Sequence, residues 1–243
     1  MAKKIATTIK DPELVAQRRA EIVNVATRLF LENGFHKTSI RDIARACPFN
    51  LASLYMYVAS KEDILFLVAQ HLMDVKARAM AEVAIDESDP AGSFRTAFKA
   101  YCCIVDEYRR HIRLLYRELD VLSPPRREVV MASLSTVTSV FERIIRNGIE
   151  RGIFMDVDAK LVALDSLFMC HLWSMHARAL RSIVQDLDRF ADRQCEVLLE
   201  GLLNNKKTNA VKSKKTTPRG RAALSRTPSG QKNNLAHGVS TLD

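Results

Sequence analysis

Between Asn50 and Val58 the chain reads N-L-A-S-L-Y-M-Y-V, a short run that presents hydrogen-bonding groups rather than charge. Leu54 and Val58 fit an inward helical face, leaving Leu51, Ala52, Ser53, Tyr55, Met56 and Tyr57 to be shared between a groove, its backbone and packing. In a DNA major groove, Ser53 and the tyrosines can hydrogen-bond, while Ala52 and Met56 can touch only a thymine methyl or another apolar edge. Arg41 before the run and Lys61 after it suit phosphate contacts. Further along, Cys170, His171 and His176 are metal-ligand types, yet positions 171 and 176 are five apart and do not share a helix face, so no metal site is expected. There is no G-x-S-x-G, phosphate-cradling glycine loop or H-E-x-x-H, so neither catalysis nor a cofactor is expected.

The elements that position these residues are helical. Only five glycines fall in the first 203 residues, and apolar positions there recur at three and four. Asp11-Pro12 opens a first helix carrying Ile22, Val25, Ala26, Leu29 and Phe30 on one face, and Gly34 stops it. Ser39 with Asp42 forms a capping box for a short helix ending near Ala46 or Cys47; Pro48 turns the chain, and Asn50 caps a second short helix to about Val58. Two short helices so joined make a helix-turn-helix. Ser60 with Asp63 caps a helix to about Met80. Helices then follow from Asp89 to about Tyr108, His111 to about Leu122, Ser123 to Gly148 or Gly152, Asp158 to about Leu180, and Ile183 to about Leu203. The helix from Asp158 has Leu161, Leu164, Phe168, Leu172 and Met175 on one side and Ala163, Leu167, Cys170 and Ala177 towards another. It therefore needs cover on both, and with the last helix it predicts a four-helix interface between two copies over about 158–203.

The chain has 243 residues and a net charge of +9, distributed unevenly: +4 over residues 1–80, −3 over 81–203 and +8 over 204–243. A basic amino-terminal third on an acidic middle suggests a polyanion at one end. The last forty residues, rich in Lys, Arg, Ser, Thr and Pro, are expected to be disordered. No apolar run is long enough to span a membrane, the start lacks the apolar run of a secretory signal, and five cysteines without a C-x-x-C pair suit reduced thiols; a cytoplasmic, all-α protein is expected.

Over about fifty residues the sequence resembles the amino-terminal domain of the tetracycline-repressor (TetR/AcrR) family. The resemblance rests on A-x-x-L-F from Ala26, Gly34 before Phe35, T-S-I-R-D-I-A from Thr38, L-Y-x-Y from Leu54 and S-K-E-D-I-L from Ser60. Pro48 stands where a turn glycine is usual, Ala52 for a frequent glycine, Met56 for a histidine and Val58 for a phenylalanine, departures that bear on operator sequence rather than fold. The resemblance implies a flexible arm (1–10), a DNA-binding domain (11–80), an effector-binding and dimerisation domain (81–203) and the basic tail (204–243). It places Ser39, Arg41, Ser53, Tyr55, Tyr57 and Lys61 at positions that meet DNA, and Leu51, Ala52 and Met56 at more variable ones. It further implies a homodimer on a palindromic double-stranded operator, most often a repressor, released by a small hydrophobic effector, with acyl-CoA thioesters among the candidates. Polar or aromatic side chains on helices expected to be buried are candidates to line its pocket: Tyr101, Cys102, Tyr116, Arg117, Phe141, Phe168, His171, Trp173 and His176. Core packing is the competing role for the aromatics. Arg109, Arg110 and Arg113 suit either an anion or a solvated face. The alternative function is a helical protein that binds RNA or another polyanion without sequence specificity.

Overall fold

A computed structural model describes residue 5 and residues 7–203, and these are helical almost throughout. Among the described residues there are nine α-helices: α1 (Pro12–Asn33), α2 (Ile40–Ala46), α3 (Leu51–Tyr55), α4 (Lys61–Ala81), α5 (Pro90–Glu107), α6 (Arg109–Glu118), α7 (Pro124–Glu150), α8 (Ala159–Val184) and α9 (Leu187–Leu202). One turn of 3-10 helix, Leu119–Val121, joins α6 to α7. The tail expected to be disordered, 204–243, lies outside the described residues.

Local caps set most boundaries. The Asp11 carboxylate accepts from the backbone N–H groups of Glu13 and Leu14, with Pro12 at the first helical position. The Ser39–Asp42 and Ser60–Asp63 capping boxes both close reciprocally. Gly34, at φ 88°, ends α1 in a conformation that only glycine adopts freely. The first four helices then share a core of Ile22, Ala26, Phe30, Ile43, Leu54 and Ile64.

Several boundaries differ from the sequence reading. Helix α3 stops at Tyr55, because the N–H groups of Met56 and Tyr57 bond back three residues to Ser53 and Leu54. That tightened turn rotates Tyr57 and Val58 inward. Part of the arm expected to be flexible is held down: Ile5 is buried, its carbonyl accepts from Arg19 Nη2 at 2.9 Å, and Thr7 Oγ1 donates to the Met56 carbonyl at 2.8 Å. Helix α6 begins at Arg109, not His111. Gly148 does not stop α7 but admits the Phe154 ring, which occupies the space a Cβ would need. Helix α8 runs on to Val184 with a break at His176 (φ −127°), and α9 starts only after Gln185, at φ 69°, has turned the chain. Ile183, expected on the last helix, thus sits exposed at the end of α8.

Beyond α4, helix α5 forms the centre of the larger bundle, burying Phe94, Phe98 and Tyr101 near Phe141 of α7. Helix α9 is joined to it by Arg95–Glu196 at 2.9 Å and Lys99–Asp192 at 2.5 Å. Helix α8 buries Ala163, Leu167 and Cys170 but exposes Leu161, Phe168, Leu172 and Met175. No helix among the described residues is long and apolar enough to cross a membrane.

Candidate functional site

The helix-turn-helix presents a compact surface. Asn50 Oδ1 accepts from the Ser53 N–H at 2.8 Å and holds the start of α3, leaving Ala52 exposed and Leu51 and Ser53 half-buried. Tyr55 and Met56 are 51% and 41% exposed. Arg41 is exposed and unpaired among the described residues, while the exposed Ser39 directs its hydroxyl to Asp42 Oδ2 at 2.6 Å. Two residues read as DNA-facing are placed differently. Tyr57 is only 7% exposed, its ring near that of Phe49. Lys61 Nζ donates to the carbonyls of Phe35 and Thr38 at 2.9 and 3.1 Å and lies 4.2 Å from the centre of the Phe35 ring, so one of its three N–H donors remains for a phosphate.

This head is tied to the bundle by polar contacts. Arg126 of α7 reaches both Glu62 (3.2 Å) and the buried Asp63, and the Ser123 N–H donates to Glu62 Oε1 at 2.9 Å. Arg110 of α6 donates to the Leu31 carbonyl at 2.7 Å. Buried Glu118 lies 3.0 Å from His36 Nε2 and 2.7 Å from Arg117 Nε.

A cavity of ≈ 180 Å³ lies within the bundle. Helix α4 supplies Leu72, Met73 and Lys76, α6 supplies Ile112 and Tyr116, α7 supplies Val130 and Leu134, and α8 supplies Phe168 and His171. Of the nine pocket candidates, Tyr116, Phe168 and His171 come together on its wall. Tyr101 stands behind them, its hydroxyl 2.9 Å from His171 Nε2, while the Tyr116 hydroxyl lies 2.9 Å from His171 Nδ1. Burial, and secondarily the charge of Lys76, lowers the His171 pKa to about 3, so the ring is neutral with one donor and one acceptor nitrogen. Cys102 and Phe141 pack in the core, Cys102 with its sulfur 3.4 Å from that of Cys170. Trp173 is buried and donates to Asp106 at 2.8 Å. Arg117 and His176 are exposed and do not line the cavity. Cys170, His171 and His176 therefore do not converge.

The contribution of α4 was missed by the sequence reading, which sought the pocket only after residue 81. Lys76 is buried, and desolvation lowers its pKa to about 8, leaving it charged at neutral pH. Its neighbours at helical spacing, Leu72, Met73 and Met80, marked it as a lysine on an apolar face.

Two family models match the chain: "Bacterial regulatory proteins, tetR family" over residues 22–68, and "Tetracyclin repressor-like, C-terminal domain" over residues 87–175. The chain is 29% identical over 202 residues to the HTH-type transcriptional regulator HbdR of Aromatoleum sp. (strain CIB), a match covering 83% of this chain and 85% of the relative. A bacterial regulatory protein in the tetR family from Rhodococcus RHA1 has the same fold, with a TM-score of 0.65 at 22% identity over 76% of this chain and 97% of that one. AibR, solved in complex with isovaleryl coenzyme A and operator DNA, shares the fold at a TM-score of 0.58 and 21% identity, covering 75% of this chain and 98% of AibR. Helix-turn-helix, cavity-bearing bundle and both family models agree, and the chain belongs to the tetracycline-repressor (TetR/AcrR) family of transcriptional regulators.

Proposed function

We propose that the chain is a cytoplasmic, homodimeric repressor whose residues 11–80 read a palindromic operator and whose residues 81–203 hold the partner subunit and a small hydrophobic or acyl-CoA-type effector. The observation that carries this reading is that one helix serves both regions. The amino end of α4 braces the helix-turn-helix through Lys61, and its later turns wall the cavity through Leu72, Met73 and Lys76. A ligand that favours one position of α4 thereby favours one position of the reading helix, which is what coupling between two sites requires.

Within this reading, Arg41 and the remaining Lys61 donor position the head on phosphates, while Ser53, Ala52, Tyr55 and Met56 face bases. Ser39 and Leu51 support the start of α2 and α3 beside the duplex, and Tyr57 acts from the core. The exposed stripe of Leu161, Phe168, Leu172 and Met175 is the natural seam for the second subunit, since large apolar side chains at helical spacing gain most by mutual burial. The apolar cavity and the isovaleryl coenzyme A bound by the structural relative AibR both favour an acyl-type effector.

The test is fluorescence anisotropy with the duplex upstream of the chain's own gene and with a scrambled duplex, across salt concentrations, using the full chain and a version ending at Asn204. Saturable preference for the native duplex by the shortened chain is the expected result. Equal, steeply salt-dependent binding to that duplex, its scramble and a random duplex library would instead favour the non-specific polyanion binder.

A further inference from the structure

The cavity contains a cation that no group among the described residues answers. Lys76 is 1% exposed and makes no hydrogen bond or ion pair among the described residues. No carboxylate lines the cavity. The polar ring facing it, His171 of α8, is neutral, with both nitrogens within hydrogen-bond distance of tyrosine hydroxyls. A buried ammonium without a counter-charge or acceptor is costly, and the cost is recovered when an occupant supplies oxygen atoms.

We propose that Lys76 anchors the oxygen end of a compact acyl ligand, either the carboxylate of a free acid or the carbonyl of a thioester, whose apolar body packs on Leu72, Ile112, Val130 and Leu134. The proposal rests on the reading of this cavity as the effector site and specifies what it recognises. The space suits a compact body. A dry apolar cavity of about 150 Å³ accommodates benzene, so ≈ 180 Å³ accommodates one ring or a short branched chain together with its acyl oxygen. Any coenzyme A portion lies outside, past the exposed side chains of Tyr116 and Met131 on the cavity's outer lining.

Isothermal titration of the full chain with benzoate, benzoyl-CoA and toluene tests this, comparing wild type with Lys76→Met, Lys76→Arg and the cavity-filling Leu134→Trp. Wild type is expected to bind benzoate or benzoyl-CoA at least tenfold more tightly than toluene. Lys76→Met should lose that preference while keeping toluene binding, and Lys76→Arg should restore part of it. Retained toluene binding shows that the Lys76→Met cavity is intact. Whichever oxygenated probe binds more tightly identifies the source as free acid or thioester. Lys76→Met binding both oxygenated probes like wild type, or wild type preferring toluene to both, overturns the Lys76 assignment and leaves the effector cavity standing. If Leu134→Trp binds every probe as wild type does, the effector reading falls first.

Discussion

The helix-turn-helix head and the carboxy-terminal bundle treat their polar and apolar groups in opposite ways. In the head, most requirements are met locally, the buried and partnerless Thr27 Oγ1 apart: two capping boxes close on themselves, Asn50 caps α3, and Lys61 spends two of its donors on nearby carbonyls. Among the described residues, the bundle leaves larger requirements open, chiefly a buried lysine with no acceptor and a stripe of exposed apolar side chains on α8, besides the unpartnered His111 Nδ1 and Arg127 Nε. Lys61 and Lys76 sit on the same helix and mark the contrast most sharply. The head closes most of its polar groups within itself and ties others to the bundle through Arg126 and Arg110, whereas the bundle's lysine and apolar stripe are the groups that the proposed effector and second subunit would cover.

The largest predicted effect breaks that contrast at the α8 stripe. Leu172→Glu places a charge and its symmetry mate in an apolar seam, at a desolvation cost of several kcal/mol per ion. Sedimentation should show monomers at concentrations where wild type is dimeric, and operator binding should fall with it. An unchanged dimer would move the seam elsewhere.

Next, Arg126→Ala asks whether the head is as self-contained as its caps suggest. It strands buried Asp63 without its ion-pair partner, and a loss of about 3–5 kcal/mol is expected in urea unfolding at pH 7. A loss below about 1 kcal/mol would show that the backbone donors of Ala59 and Ser60 satisfy Asp63 unaided.

Lys76→Met sharpens the other open requirement by raising stability. The folded pKa of about 8 lies below the ordinary lysine value of 10.5, so the folded chain holds its proton less tightly than the unfolded one. The penalty is therefore complete below about pH 8, shrinks as pH rises from there to 10.5, and vanishes above. Replacing the lysine should stabilise the protein by about 2–3 kcal/mol at pH 7, with the gain over wild type fading across that window. A pH-independent gain would assign the effect to packing alone.

The smallest effects separate positioning from reading within the head. Arg41→Ala should weaken binding to all duplexes by about 1 kcal/mol, while Ser53→Ala should leave average affinity near wild type and change the ranking of operator variants. Competition binding against a randomised half-site distinguishes the two.

The same contrast explains how much was legible in the sequence. Ser39–Asp42, Ser60–Asp63 and Asp11-Pro12 are relations across one to three residues, and they located α1, α2 and α4 closely. The inward turn of Tyr57 follows from the tightened turn after Leu54, and the bonds of Lys61 depend on where the loop from Phe35 to Thr38 lies in space; no periodicity carries either. Residue type and expected burial selected Tyr116, Phe168 and His171 together with Tyr101, yet Tyr101 falls one layer behind the cavity wall. The bond joining Tyr101 to His171 spans 70 residues of sequence, beyond any local pattern. Lys76 was visible as a lysine among apolar neighbours; assigning all of α4 to the head concealed its meaning.

Helix α4 has a mechanical consequence. Fifteen residues separate Lys61 from Lys76 on this helix, a rod of about 22 Å at roughly 1.5 Å per residue. A tilt of roughly 5° about the cavity end would carry the other end about 2 Å, and two such rods related by a two-fold axis would change the separation of the reading helices by up to about 4 Å. Against successive major grooves about 34 Å apart, that is roughly an eighth of a helical turn. A shift hardly visible at the cavity thus becomes an error of register on the duplex.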